Sequence, residues 1–226
     1  SHFANGFLIG SALMSEPDLN AAVRRVLLGE NKVCGLTRAQ DAAAAYHAGA
    51  VYGGLIFVGS SPRYVDIAKA RTVISGAPLK YVGVFRDAKI ETVQQTAERL
   101  SLAAVQLHGQ EDQSYINQLR AILPASCQIW RALRVDDAVP QRNLQHVERY
   151  VLDHGNGGTG QRFDWSLLAG QPLDNVLLAG GLSADNCCAA AQLGCAGLDF
   201  NSGVESAPGI KDPQLIAAVF QTLRAY

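Results

Sequence analysis

A chain of 226 residues, 48% of them hydrophobic, can bury one large core; its formal net charge of -1, with no block of like charge, gives nucleic acid or an anionic membrane surface nothing to grip. No apolar run reaches bilayer length, since the early stretch 7–14 is short and is interrupted by Gly10 and Ser11. Cys34, Cys127, Cys187, Cys188 and Cys195 are odd in number with no C-x-x-C pairing, and the five histidines are scattered singly. A disulfide framework and a metal site are therefore not expected; a cytoplasmic protein acting on small molecules is.

Residues 6–14 read as a strand running into a Gly-Ser turn, and 17–28 as a helix stopped by Gly29. From residue 31 a unit repeats: a short apolar run, a glycine or polar loop, then an amphipathic segment. Strands are predicted over 32–35, 52–57, 81–84, 104–107, 128–132, 150–153, 176–179 and 197–200, and helices over 39–48, 65–75, 90–100, 114–123, 184–193 and 213–225. The segments after the fifth and sixth strands carry weak helical patterns. Eight runs without polar alternation suit parallel strands buried on both faces, and eight successive βα units favour closure into a TIM (β/α)8 barrel. The alternative is an open doubly wound sheet, disfavoured because no G-x-G-x-x-G follows the first strand. Residues 1–30 then form an extra N-terminal βα segment.

In such a barrel the chemistry sits where strands enter their following loops. Asp153 ends the sixth strand, and the loop after it carries Gly155, Gly157, Gly158 and Gly160. This is either a mobile surface loop beside a solvated carboxylate or a backbone bent closely over a ligand. Cys34 lies inside an apolar strand end, where a lone cysteine is ordinarily a small hydrophobe. Small-residue turns follow the seventh strand, at Gly180 and Gly181, and the eighth, at Asn201, Ser202 and Gly203; exposed backbone N–H groups there could cradle a phosphate without any lysine. Arg63 could clamp a carboxylate or lie solvated, and His108 could face the pocket or satisfy a local backbone group.

Taken together, Lys32-Val33-Cys34-Gly35-Leu36-Thr37, Gln106-Leu107-His108-Gly109, Leu152-Asp153 with Gly157-Gly158-Thr159-Gly160 and Phe163-Asp164-Trp165, Ala179-Gly180-Gly181-Leu182, and the stretch from Asp199 to Glu205 with Pro208-Gly209 resemble phosphoribosylanthranilate isomerase of tryptophan biosynthesis. The resemblance covers about residues 31–226. It implies a TIM barrel that converts N-(5-phosphoribosyl)anthranilate to 1-(2-carboxyphenylamino)-1-deoxyribulose 5-phosphate by an Amadori rearrangement, with no cofactor. It further implies Cys34 as general base, Asp153 as general acid, Arg63 as the contact for the anthranilate carboxylate, and Gly181, Ser202 and Gly203, with Gly180 and Asn201 in the same turns, as the phosphate cradle. Lys32 and His108 fall to the pocket. The chemistry asks for a carboxyl kept protonated by burial and a thiol eased toward thiolate by positive charge, for which Lys32 and Arg38 lie near in sequence.

Residues 3–14 resemble the final strand and phosphate turn of indole-3-glycerol-phosphate synthase, which in some bacteria is fused ahead of the isomerase. The expectation is a remnant of the synthase over 1–30 and the isomerase barrel over 31–226, naturally fused to the synthase and behaving as a monomer here. Without the remaining strands and catalytic residues of the synthase, Gly10 and Ser11 would form an uncompleted half-site. Two rivals are a catalytically inactive phosphate-binding barrel and the histidine-pathway sugar-phosphate isomerase, which uses a carboxylate where this chain has Cys34.

Overall fold

The computed structural model describes residues 13, 15, 19–154 and 163–225. Its elements are helix α1 (Leu19–Leu28), strand β1 (Lys32–Val33), α2 (Ala39–Ala48), β2 (Tyr52–Ile56), α3 (Ile67–Ile74), β3 (Lys80–Phe85), α4 (Ile90–Leu100), β4 (Ala104–Leu107), α5 (Gln113–Ile122), β5 (Gln128–Arg134), β6 (Arg149–Asp153), β7 (Val176–Leu178), α6 (Cys187–Ala191), β8 (Gly197–Phe200), a hairpin of β9 (Glu205–Ala207) and β10 (Ile210–Lys211), and α7 (Pro213–Arg224). Strands β1 to β8 form a closed barrel in chain order, with β1 paired in parallel to both β2 and β8. The barrel, rather than the open sheet, is thus what the alternating pattern encodes.

Side-chain parity sorts the strands. Residues Tyr52, Val82, Ala104, Trp130, Val151 and Leu177 form an interior cluster, in which the Tyr52 and Trp130 rings meet edge to face at 4.9 Å. Their neighbours of opposite parity, such as Leu55, Val105, Ile129, Leu152 and Leu178, pack outward into the larger core shared with the helices. Both faces of each strand are apolar, which is why the sequence lacks polar alternation. Three helices begin where a carboxylate accepts from their first N–H groups: Asp66, Asp112 and Asp212 cap α3, α5 and α7, the last with Pro213 in the first turn.

Several element bounds shift for identifiable reasons. Strand β5 runs on to Arg134 because that residue pairs with Asp153 of β6. Helix α6 is five residues long instead of ten; the Asn186 side chain accepts from Ser183 N (3.0 Å) and donates to Gly181 O (2.9 Å), which makes the residues before it a turn. After β6 only a 3-10 turn, Trp165–Leu168, is present among the described residues, and β5 leads to β6 through a connection with no helix.

The strand expected over 6–14 lies outside the described residues except for Leu13, which is helical, not extended. Helix α1 does pack on the barrel. Ala22 is buried, and Arg24 stacks 3.9 Å from the Tyr46 ring centre while donating to Tyr46 O (2.7 Å) and Ala50 O (3.2 Å). Glu30 then pairs with Arg149 at the base of β6. A truncation starting at Glu30 is expected to lose about 2–4 kcal/mol of stability, from the buried surface and two backbone acceptors left unpaired; urea unfolding identical to that of the full chain would refute this.

Candidate active site

The C-terminal ends of the strands surround a cavity of about 320 Å³, the size of a small-ligand site. Of the sequence-predicted residues, Cys34, Arg63, His108, Asp153, Gly180, Gly181, Asn201 and Ser202 line it. Lys32 lies beneath it, fully buried, and Gly203 sits behind it, its backbone so close to Leu182 O that no side chain could be added.

Cys34 shares parity with Lys32, so both side chains point into the barrel. Its N–H bonds Phe200 O (2.8 Å), continuing the β1–β8 ladder, and its thiol packs over Gly54 of β2. A Cβ on Gly54 would come within 2.7 Å of Cys34 Sγ, so a glycine is what lets the sulfur sit there. Below it, Lys32 Nζ donates to Asp199 Oδ2 on β8 (2.6 Å) and to Gln106 Oε1 on β4 (3.1 Å). Register explains the first contact, since Lys32 and Asp199 are direct cross-strand partners.

The electrostatics depart from expectation at the thiol. Burial pushes Cys34 up, Lys32 pulls it down, and Asp199 pushes it up again, leaving it above its usual value. Lys32 does supply the positive charge, and Lys211 adds to it. Arg38 does not: it is committed to Asp41, at 2.6 and 2.9 Å, and to Lys211 O. Burial likewise opposes the charge on Lys32, but Asp199 and Cys34 outweigh it and the ammonium is retained.

At Asp153 the sequence expectation holds in direction. Burial drives its pKa up to about 6, against the opposing bond from His154 N to Oδ1 (2.7 Å), with Asp199 adding to the rise. His108 is pushed down to about 4, first by burial and then by Arg86, Lys32 and Arg131, so its imidazole is neutral near pH 7. Two carboxylates, a thiol and a neutral imidazole thus meet in one cavity, with a buried lysine beneath it.

Arg63 reaches the cavity but is already clamped. Its Nε and Nη2 donate to the two oxygens of Glu205 at 2.9 and 2.7 Å, a bidentate pair that no local pattern announces because the partners are 142 residues apart. Glu205 also accepts from Lys211 Nζ (2.7 Å) and Gly209 N (3.2 Å), while Lys211 bonds Asn201 O and Oδ1. The side chain of Asn201 is therefore turned toward Lys211. This network ties the loop after β2 to the segment after β8, to which Arg38 of the loop after β1 is separately bonded at Lys211 O.

The turns after β7 and β8 have the backbone that an anion cradle needs. Gly180 and Gly181 adopt φ of 94° and 60°, a left-handed pair closed to most side chains, and Ser202–Val204 forms a single 3-10 turn beside them. The glycine-rich loop over 155–160 lies outside the described residues.

The sequence motifs include Gln106, Asp199 and Glu205 but give them no role of their own, and Arg86 and Lys211 lie outside the motifs altogether. The parity of β4 and β8 could have found the first two, since Gln106 and Asp199 are polar residues at inward positions of otherwise apolar strands. Arg86, one residue past β3, follows the same parity. Nothing marked Lys211, which lies in a short turn-rich segment that reads as solvated surface.

A family model described as N-(5'-phosphoribosyl)anthranilate (PRA) isomerase matches residues 31–222. The chain belongs to the phosphoribosylanthranilate isomerase family. A relative named tryptophan biosynthesis protein TrpCF, from Yersinia pestis, is 86% identical over all 226 residues, which make up 48% of its length. The chain thus spans about half the length of the curated relatives it matches. Among solved structures, phosphoribosyl anthranilate isomerase from Thermus thermophilus superposes with a TM-score of 0.77 at 30% identity, covering 87% of this chain and 98% of that one. Another phosphoribosyl anthranilate isomerase, crystallised with reduced 1-(o-carboxyphenylamino)-1-deoxyribulose 5-phosphate, has a TM-score of 0.72 at 27% identity, covering 88% and 100%. The isomerase family's barrel and the cavity described above coincide with the segment matched, and α1 lies before it.

Proposed function

We propose that the chain isomerises N-(5-phosphoribosyl)anthranilate to 1-(2-carboxyphenylamino)-1-deoxyribulose 5-phosphate in tryptophan biosynthesis, with Asp153 as general acid and Cys34 as general base. The observation that carries the reading is that both groups line one cavity whose rim holds the left-handed glycine pair after β7 and the Ser202 turn after β8. Asp153 donates its proton to the furanose ring oxygen while the anilino nitrogen lone pair expels that oxygen from C1, giving an open-chain Schiff base. Cys34 thiolate then removes the C2 proton, and the electrons move to nitrogen to give an enolamine. Gain of a proton at C1 and loss of the C2 hydroxyl proton complete the ketone. Each positioned group contributes about a hundred- to ten-thousand-fold.

The phosphate rests on the N–H groups of the Gly180-Gly181 and Ser202-Gly203 turns, and Arg63 holds the anthranilate carboxylate beside its bond to Glu205. We assign residues 31–226 to the isomerase barrel and residues 1–30 to the tail of an indole-3-glycerol-phosphate synthase, the two being joined in a longer protein that the half-length match to the relatives supports. The barrel works as a monomer in the cytoplasm.

Loss of the substrate's anthranilate fluorescence on adding the purified chain tests the reading. Cys34→Ala is expected to lower the rate by about a hundred-fold or more with the fold retained. Fluorescence that decays no faster than in buffer would leave an inactive barrel as the answer. Gly54→Ala places a methyl against Cys34 Sγ and is expected to cost about 10- to 100-fold in turnover through displacement of the base; unaltered initial rates would show that the sulfur's seat is not critical.

A further inference from the structure

Asp153 ionises near pH 6 and the Cys34 thiol above its usual range, so at neutral pH each is mostly in the form opposite to its proposed role. Something in the fold must set how much thiolate exists. Cys34 faces Lys32 from its own strand, Asp199 from β8, Lys211 from β10 and Arg63 from the loop after β2, with Asp153, His108 and Arg86 around the same cavity.

Lys32 differs from the other cations. Lys211 and Arg63 are both bonded to Glu205, whereas Lys32 is sealed in the barrel between Asp199, Gln106 and the cysteine two residues along the same strand. Asp199 takes the ammonium through Oδ2; its Oδ1 is buried with no hydrogen-bond partner among the described residues, so Lys32 is its one donor. A carboxylate and a thiol thus share Lys32 as their strongest cationic neighbour, with Lys211 acting on both more weakly.

We infer that Lys32 is the counter-ion of the Cys34 thiolate and Asp199 its competitor, a pair of positioning residues with opposite effects on the base. The inference rests on Cys34 being the base, but its test reads the thiol itself. The pH dependence of Cys34 alkylation by iodoacetamide, followed by mass spectrometry on the peptide that carries it, gives the ionisation midpoint in the full chain. Lys32→Met is expected to raise that midpoint by about 1–2 pH units and Asp199→Asn to lower it, so that alkylation at one fixed pH below the midpoint slows about tenfold per unit in the first and quickens in the second. A purely structural role would not move the two variants in opposite directions.

Midpoints that move together, or stay at the wild-type value in both, overturn the inference. If either single variant does not fold, Lys32→Met/Asp199→Leu removes the pair whole, which buried ion pairs tolerate. Lys32 acts on the thiol more strongly than Asp199, so the double variant is expected to ionise above wild type; a midpoint equal to or below wild type overturns the counter-ion role. Turnover is read separately: Cys34→Ala retaining full activity would remove the base assignment, while an inactive Cys34→Ala with unmoved midpoints removes only the counter-ion.

Discussion

Asp153→Asn is expected to cost a hundred- to ten-thousand-fold in turnover and, at the same time, to make the chain more stable at pH 8. The carboxyl's pKa rises from its ordinary 3.8 to about 6, chiefly through burial. A group raised in this way lends its full stability below the unfolded value and loses it as pH climbs through the folded one. Wild type therefore carries the whole penalty above pH 6, at most about 3 kcal/mol from a shift of roughly two units. Asparagine keeps an oxygen for His154 N, keeps the shape and has no charge to desolvate, so the gain should be about 1–3 kcal/mol at pH 8 and shrink toward pH 4. Thermal melts of both proteins at the two pH values decide it. A stability difference that does not grow between pH 4 and pH 8 would show that Asp153 is not held in a desolvated state.

Glu205→Ala should have the opposite effect, a loss of about 3–5 kcal/mol, because it strips the shared partner from two buried cations at once. Glu205 is almost fully enclosed and receives Arg63 twice, Lys211 and the Gly209 N–H. Burial alone would raise its pKa, but Arg63 and then Lys211 outweigh that and hold it below the usual carboxylate value. Its contribution is thus present above the ordinary glutamate range and fades as pH falls through the depressed value. In the variant, Arg63 and Lys211 face one another without an anion and the loop after β2 loses its tie to the segment after β8. Urea unfolding with a loss below about 1 kcal/mol would mean that the network is worth no more than a surface ion pair.

Much of the architecture was legible because barrel strands obey one local rule. Apolar on both faces and followed by a polar turn, β1 to β8 announce themselves within windows of a few residues, and the carboxylate at the end of β6 can be seen without any tertiary contact. What stayed hidden depends on distance along the chain. Arg63 could be picked out as a loop arginine, but its partner Glu205 and their joint partner Lys211 come from segments with no regular period. The charge expected from Arg38 is lost for a local reason instead: Asp41, three residues along, captures it once α2 forms. Helix α6 was overestimated because Asn186 looked like one more helical position, when its side chain is spent on the turn before it.

The contact between β1 and β8 is short, two residue pairs, Lys32 with Asp199 and Val33 with Phe200. The Lys32–Asp199 bond therefore does two jobs. It latches the first strand of the barrel to the eighth, and it borders the reactive sulfur. Removing one partner alone therefore retunes the sulfur and strains the seam together, although Cys34 N to Phe200 O (2.8 Å) and Leu198 N to Asn31 Oδ1 (2.8 Å) span the seam as well. Chemists who wish to retune the thiol would do better to work from Gln106, which touches the same ammonium from β4 and holds no seam together.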